Sequence, residues 1–271
     1  MLRRAGLILA GSLLFFYCVY LFFPAARLND ALGRVLSAQG LSLSPPGEKC
    51  VLPGMRWRDA SLNSGTGVLL RCDELTIRPL LIPLFTGRAI VGATAVMGNG
   101  RVSARYGMAG REGFSIEADG LRLDTLPFFQ TVLGAKASGA LMCKGELQRS
   151  RKGMEGELRL EVRQLGLSGT KLGAFMLPDV SGLTAQGVAR MKDGHSRLDS
   201  FTLEGEGIYM RLSGVLPASP AAPLDLSLEI MPKPEFMESQ RLVFLLLARF
   251  MVSPGVYRIP VKGTLLQPEI L

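Results

Sequence analysis

The chain has 271 residues, 48% apolar and 20% charged, with a mean hydropathy of +0.26 and a net charge of +8. That balance excludes disorder, four cysteines are too few for a disulfide-stapled miniprotein, and the length suits one large β domain or two small ones. A single histidine, His195, excludes metal sites needing two imidazoles, and the scattered basic residues lack the clustered footprint of a nucleic-acid binder.

Residues 1–4 read as a cytoplasmic stub and 5–23 as a transmembrane anchor. Ala5 to Phe23 is nineteen residues without a charge, preceded by Arg3-Arg4 and closed by Pro24. At about 1.5 Å per residue this nearly matches the ~30 Å hydrocarbon layer. Tyr17 and Tyr20 lie toward its far end, where aromatic side chains favour the interface. The two arginines predict a cytoplasmic N-terminus and translocation of everything after Pro24. A cleaved signal peptide is the competing reading. The apolar run is long for one, and Pro24-Ala25-Ala26 is a poor cleavage site.

Residues 24–47 form a helix and linker. Leu28, Leu32, Val35 and Leu36 recur at helical spacing, with Arg27, Asp30 and Arg34 on other faces. Such a helix lies on a membrane surface or caps the following domain. It ends near Gly40, and Ser44-Pro45-Pro46-Gly47 breaks the chain.

The remainder, 48–271, reads as a β-rich domain with period-two alternation. Phe114, Ile116 and Ala118 alternate with polar residues, then the phase slips by one at Gly120 and Leu121 and Leu123 follow. A slip turns side chains to the other face unless a bulge or turn restores them. The same outline runs through Val68–Ile77, Leu158–Leu160–Val162–Leu165 and Phe201–Leu203–Ile208. The segments start at 68, 114, 158 and 201, intervals of 46, 44 and 43, which suggests a repeated unit of ~44 residues. Further strands are expected at Arg101–Tyr106, Gly139–Leu147, Leu224–Ile230 and Tyr257–Leu265. Short apolar connectors cover Pro79–Phe85 and Leu126–Phe129. One later helix is predicted over Glu235–Met251, with Phe236, Val243, Leu247, Phe250 and Met251 on its apolar side.

Catalytic patterns are missing. There is no Gly-Lys dipeptide for a P-loop, no third glycine for a dinucleotide fingerprint, and no Gly-x-Ser-x-Gly elbow. His195 lies in a hairpin-turn composition, and no cofactor or metal is expected. Cys50 and Cys72 flank a glycine-rich stretch and would close a loop in an oxidising compartment. The predicted core or groove face comprises Phe114, Ile116, Leu121, Leu158, Leu160, Val162, Phe201 and Leu203.

An N-terminal anchor leads to Leu69-Leu70-Arg71-Cys72-Asp73-Glu74-Leu75-Thr76-Ile77-Arg78-Pro79 and Leu84-Phe85-Thr86-Gly87. The chain ends with Gly255-Val-Tyr-Arg-Ile-Pro260-Val-Lys-Gly263-Thr-Leu-Leu-Gln-Pro268. This pattern resembles the type II secretion system protein N family in its deltaproteobacterial form. The resemblance implies a single-pass bacterial inner-membrane protein with a curved antiparallel periplasmic β domain. Its role would be a non-enzymatic accessory to protein secretion, contacting inner-membrane secretion proteins. The strand-connector-strand texture is also similar to AsmA-like proteins, which implies the alternative of an apolar groove binding or transferring phospholipid.

Overall fold

The computed structural model describes residues 11, 17–18, 20–85, 87–108, 113–172, 175–217, 219–220 and 222–270. The stub 1–4 and residues 5–10, 12–16 and 19 of the expected anchor lie outside that set. No helix among the described residues is long and apolar enough to cross a membrane.

Helix α1 (Ala25–Ser37) precedes β1 (Leu41–Ser44), β2 (Glu48–Lys49), β3 (Met55–Ser64) and β4 (Gly67–Pro79). Helix α2 (Leu81–Phe85) leads to β5 (Ile90–Met97), β6 (Gly100–Gly107) and β7 (Phe114–Arg122). Helix α3 (Phe128–Leu133) is followed by β8 (Lys136–Ser150), β9 (Gly153–Ser168), the small pair β10 (Lys171–Leu172) and β11 (Phe175–Met176), and β12 (Val180–Lys192). Then come β13 (His195–Glu204), β14 (Ile208–Leu216), β15 (Asp225–Pro232), α4 (Pro234–Ser239), α5 (Arg241–Leu247), β16 (Met251–Ser253), β17 (Val256–Gly263) and β18 (Pro268–Ile270). Apart from β10 and β11, the strands form one 16-stranded antiparallel sheet, ordered almost as they occur in the chain. The fold is mainly β, as the alternation predicts.

One face of this sheet is apolar from edge to edge. A single cross-strand row runs Trp57, Leu75, Ala95, Val102, Ala118, Cys143, Leu160, Gly187, Phe201, Leu212, Leu228, Ile259. Neighbours in such a row are the contacts that stabilise a sheet, at roughly 0.2–1 kcal/mol per pair. Small residues in the row make room for large ones. A Cβ on Gly187 would stand 2.6 Å from the Phe201 ring. The opposite face of β9 carries Glu157, Arg159, Glu161 and Arg163, which pair along the strand as Arg159–Glu157 and Arg163–Glu161.

The phase slips keep this face continuous. On β7 the register shifts between Ala118 and Leu121, with Gly120 at φ 63, and both flanking residues stay buried. On β9, Gln164 at φ 53 separates Val162 from Leu165, each 3% exposed. Gly139 of β8 and Gly182 of β12 complete a seam of slips across adjacent strands. In β4 the slip at Asp73 lies opposite Asp59 of β3, whose φ is 48, so Trp57 and Ala60 share a face with Cys72 and Leu75. The fourth site, at Gly205–Gly207, is the turn joining β13 to β14. The four similar segments fall on β4, β7, β9 and the β13–β14 hairpin, so they share the slip rather than one place in a repeated unit.

Two helical expectations are corrected. Gln240 has non-helical angles (φ −114, ψ 30), so the predicted single helix over 235–251 is two short helices followed by a 3-10 turn, and Met251 belongs to β16. Phe236, Val243, Leu247 and Phe250 do pack on the core, whereas Met251 is 46% exposed. In α1, Leu28 and Leu32 pack against Met55 and Trp57, but Val35 faces solvent at 66% exposure. Leu36 is half-buried near Leu43 and Trp57, so of the four apolar positions only Val35 turns away from the sheet. Asn29 fastens the helix: its side-chain amide donates to Gly47 O and accepts from Gly47 N at 2.9 and 2.8 Å.

Because Gly120 occupies the left-handed region, Gly120→Ala should destabilise the protein by about 1–2 kcal/mol, read as a lower urea midpoint. An unchanged midpoint would mean the slip is not built on this backbone conformation.

Candidate apolar groove

The two ends of the strands differ. One rim carries the 50–54 loop, α2, and the turns at 151–152 and 193–194; the other carries α3, the β13–β14 turn, and α4 with α5. At the second rim the apolar face is roofed. Thr131 of α3 donates to Val68 O at 2.6 Å, reaching back from beyond β7 to β4. The β10 backbone, which follows the second-rim end of β9, comes against β18, which pairs with the first-rim end of β17 at Val261–Gly263, so this cover is not confined to one rim. Phe236 meets Phe244 edge-on and Phe244 meets Tyr257 at a tilt, with centroids 6.2 and 5.4 Å apart, and Leu247 is fully buried. Beyond the seam of slips, Leu121, Leu123, Leu165, Val180 and Leu183 are all buried. A bulge bends its strand and strengthens twist, which is what folds this half over itself.

Toward the first rim the same face stays partly open on β6 to β13, while at that rim Met55 of β3, Leu226 of β15 and Val261 of β17 are buried. Phe114, Ile116, Leu147, Leu158, Leu160, Leu198 and Phe201 are half-buried, and Tyr106 is 45% exposed. These residues lie on β6, β7, β8, β9 and β13, and Gly187 and Ala189 of β12 fill the row between, so they form one strip. This contiguous strip of half-buried apolar residues is the candidate site. Of the residues expected on a core or groove face, Leu121, Val162 and Leu203 belong to the packed half. Phe114, Ile116, Leu158, Leu160 and Phe201 belong to the open half. Sequence alternation could not separate them, because both halves show the same pattern.

Two half-buried thiols line the apolar face. Burial pushes the Cys72 thiol up from its ordinary pKa, helped by the Asp73 carboxylate, and burial does the same to Cys143. Both therefore stay protonated at neutral pH. Cys50 and Cys72 are free, which corrects the expected disulfide. Lys49 pairs with Met55 while Cys72 pairs with Ala60, five residues further along β3. At about 3.3 Å per residue this separates the two cysteines by roughly 16 Å, beyond the ~7 Å that a disulfide spans.

The open rim is also where the N-terminal segment attaches. Tyr20 Oη donates to Cys50 O at 2.8 Å and Gly54 O at 2.9 Å, and Tyr17 Oη donates to Val51 O at 3.1 Å. Lys49 Nζ donates to Tyr20 O at 2.7 Å and Leu21 O at 3.1 Å, a cation on the carbonyl end of a helical segment. The sequence signalled the tyrosines as interface residues but not these partners.

The charged face holds a separate concavity of about 640 Å³ lined by Glu117, Lys144, Glu157, Arg159, Glu161 and Arg190. Opposite charges interleave there, so it presents no single sign to a ligand. No protein-family model, curated protein or solved structure matches the chain.

The two halves should respond differently to truncation. Ile230→Ala, at a fully buried site, should cost about 2–5 kcal/mol by denaturant unfolding, whereas Ile116→Ala on the open strip should cost less than about 2 kcal/mol. Equal costs would mean that the strip is packed core.

Proposed function

We propose that this is a single-pass inner-membrane protein whose translocated β domain binds lipid acyl chains on its open apolar strip. The observation carrying this reading is the coincidence of the strip's open rim with the attachment of Tyr17 and Tyr20, at the end of the chargeless run 5–23. An acyl chain leaving the bilayer at that rim would reach the open strip beyond β4 and β5. Burying it stabilises by roughly 0.8 kcal/mol per CH₂, so a few buried methylenes suffice for binding. The role is binding rather than catalysis, with no cofactor. Arg3-Arg4 supports a cytoplasmic N-terminus and a periplasmic main domain.

A second reading is accessory service to type II secretion, which the terminal Gly-x-Tyr-x-x-Pro-x-x-Gly-Thr-Leu-x-x-Pro pattern supports. Leu242, Leu245 and Leu246 on α5, at 78%, 70% and 62% exposure, favour a protein partner at the roofed rim. Lipid binding at one rim is compatible with a protein partner at the other.

Mass spectrometry of the gently extracted full chain should find reproducible co-purified phospholipid. Leu160→Asp or Ile116→Asp should remove most of it, while Val215→Asp on the charged face should leave it in place. Lipid-free wild-type protein, or equal lipid in all variants, would reject the lipid reading. Co-purifying inner-membrane secretion proteins would support the second.

A further inference from the structure

The rim that holds the N-terminal segment is itself apolar. Phe22 and Phe23 are exposed at 87% and 44%, and the loop fastened to Tyr17 and Tyr20 exposes Val51 and Leu52 at 80% and 58%. That loop abuts the end of β4: a Cβ on Gly54 would stand 2.7 Å from Ile77 O and 2.8 Å from Arg78 Cβ. Three residues beyond Arg78, α2 begins and exposes Ile82 at 83% and Leu84 at 53%. The patch therefore runs from the N-terminal segment through the loop to α2. Lys49 and Arg78 stand beside it, and Arg27 opens α1.

We infer that this rim enters the interfacial layer of the bilayer, with Val51, Leu52, Ile82 and Leu84 inserted among headgroups and upper acyl chains. The inference rests on reading 5–23 as the membrane segment. The direct hydrogen bonds from Tyr17 and Tyr20 then hold Val51 and Leu52 at the level where that segment leaves the hydrocarbon. Tyrosine prefers this level, and short apolar elements flanked by Lys and Arg bind here by combining apolar burial with attraction to anionic lipid. A water-exposed cluster of four aliphatic side chains would otherwise carry an unrecovered hydration cost. Contact at this second place fixes the tilt of the β domain and directs the open strip at the membrane. A lone anchor would leave the domain free to swing.

The full chain, reconstituted in vesicles of phosphatidylethanolamine, phosphatidylglycerol and bromine-labelled phosphatidylcholine, tests this by tryptophan quenching. The only native tryptophan, Trp57, is 3% exposed and gives a constant background. Ile82→Trp, at an exposed site that disturbs no packing, should add emission that brominated lipid largely quenches. Leu246→Trp, at the opposite rim, should add emission that stays unquenched. Vesicle-bound protein with no quenching at position 82, or with equal quenching at both positions, would overturn the inference while leaving lipid binding on the strip untouched. Protein that fails to float with the vesicles would defeat the anchor reading and this inference with it.

Discussion

Side chains of a β-strand alternate with a period of two, so one extra residue turns every later side chain to the other face. Strands here reach 15 and 16 residues, too long to bend over one core without such interruptions. The sheet answers by placing its slips at the same level on neighbouring strands. Gly120, Gly139, Gln164 and Gly182 each lie in adjoining register on β7, β8, β9 and β12. A slip on one strand alone would set apolar residues beside charged ones. Aligned slips carry the whole face across together, and the large apolar surface stays undivided.

That seam also divides the molecule by use. On one side the bent sheet, α3, and the aromatic cluster of α4 and α5 enclose residues such as Leu183, Leu247 and Ile230. This half supplies the burial that keeps so large a sheet folded. On the other side the same row pattern continues, half-open on β6 to β13 and buried again at Leu228 and Ile259. Leaving Phe114, Ile116, Leu158 and Phe201 half-open costs stability that a folded core would otherwise gain. The packed half makes that expenditure tolerable. The arrangement, a packed half beyond the seam and a half-open strip on β6 to β13, follows from one constraint on strand phase.

Much of this was legible in the amino-acid order, and the misses have physical causes. The β class, the slips at 73–74, 119–120 and 163–164, and the turn at 206–207 follow from apolar phase alone. Gln164 shows why glycine is an incomplete guide: it adopts positive φ without being one, and only the shift from Val162 to Leu165 betrays it. The break at Gln240 was illegible because glutamine is a good helix former and the apolar spacing continues past it. Val35 continues the helical stripe of α1 but faces solvent, while Leu28, Leu32 and Leu36 on either side of it turn toward the sheet. Cys50 and Cys72 looked pairable because chain separation does not reveal register. Openness was out of reach for a different reason. Whether Ile116 or Leu121 meets a cover depends on α3 and on distant strands, and strand periodicity contains no information about either.

One apolar face is packed under α3, α4 and α5 and half-open on β6 to β13, where we propose that lipid binds. That binding is tested most directly with a phospholipid carrying a diazirine in its acyl chain, photolysed in vesicles that hold the full chain. The account predicts adducts on the open strip, at Ile116 of β7 and Leu158 or Leu160 of β9, and none at Ile230 or Ile259. Adducts confined to residues 5–23, or spread over the charged face at Arg159 and Arg190, would contradict it.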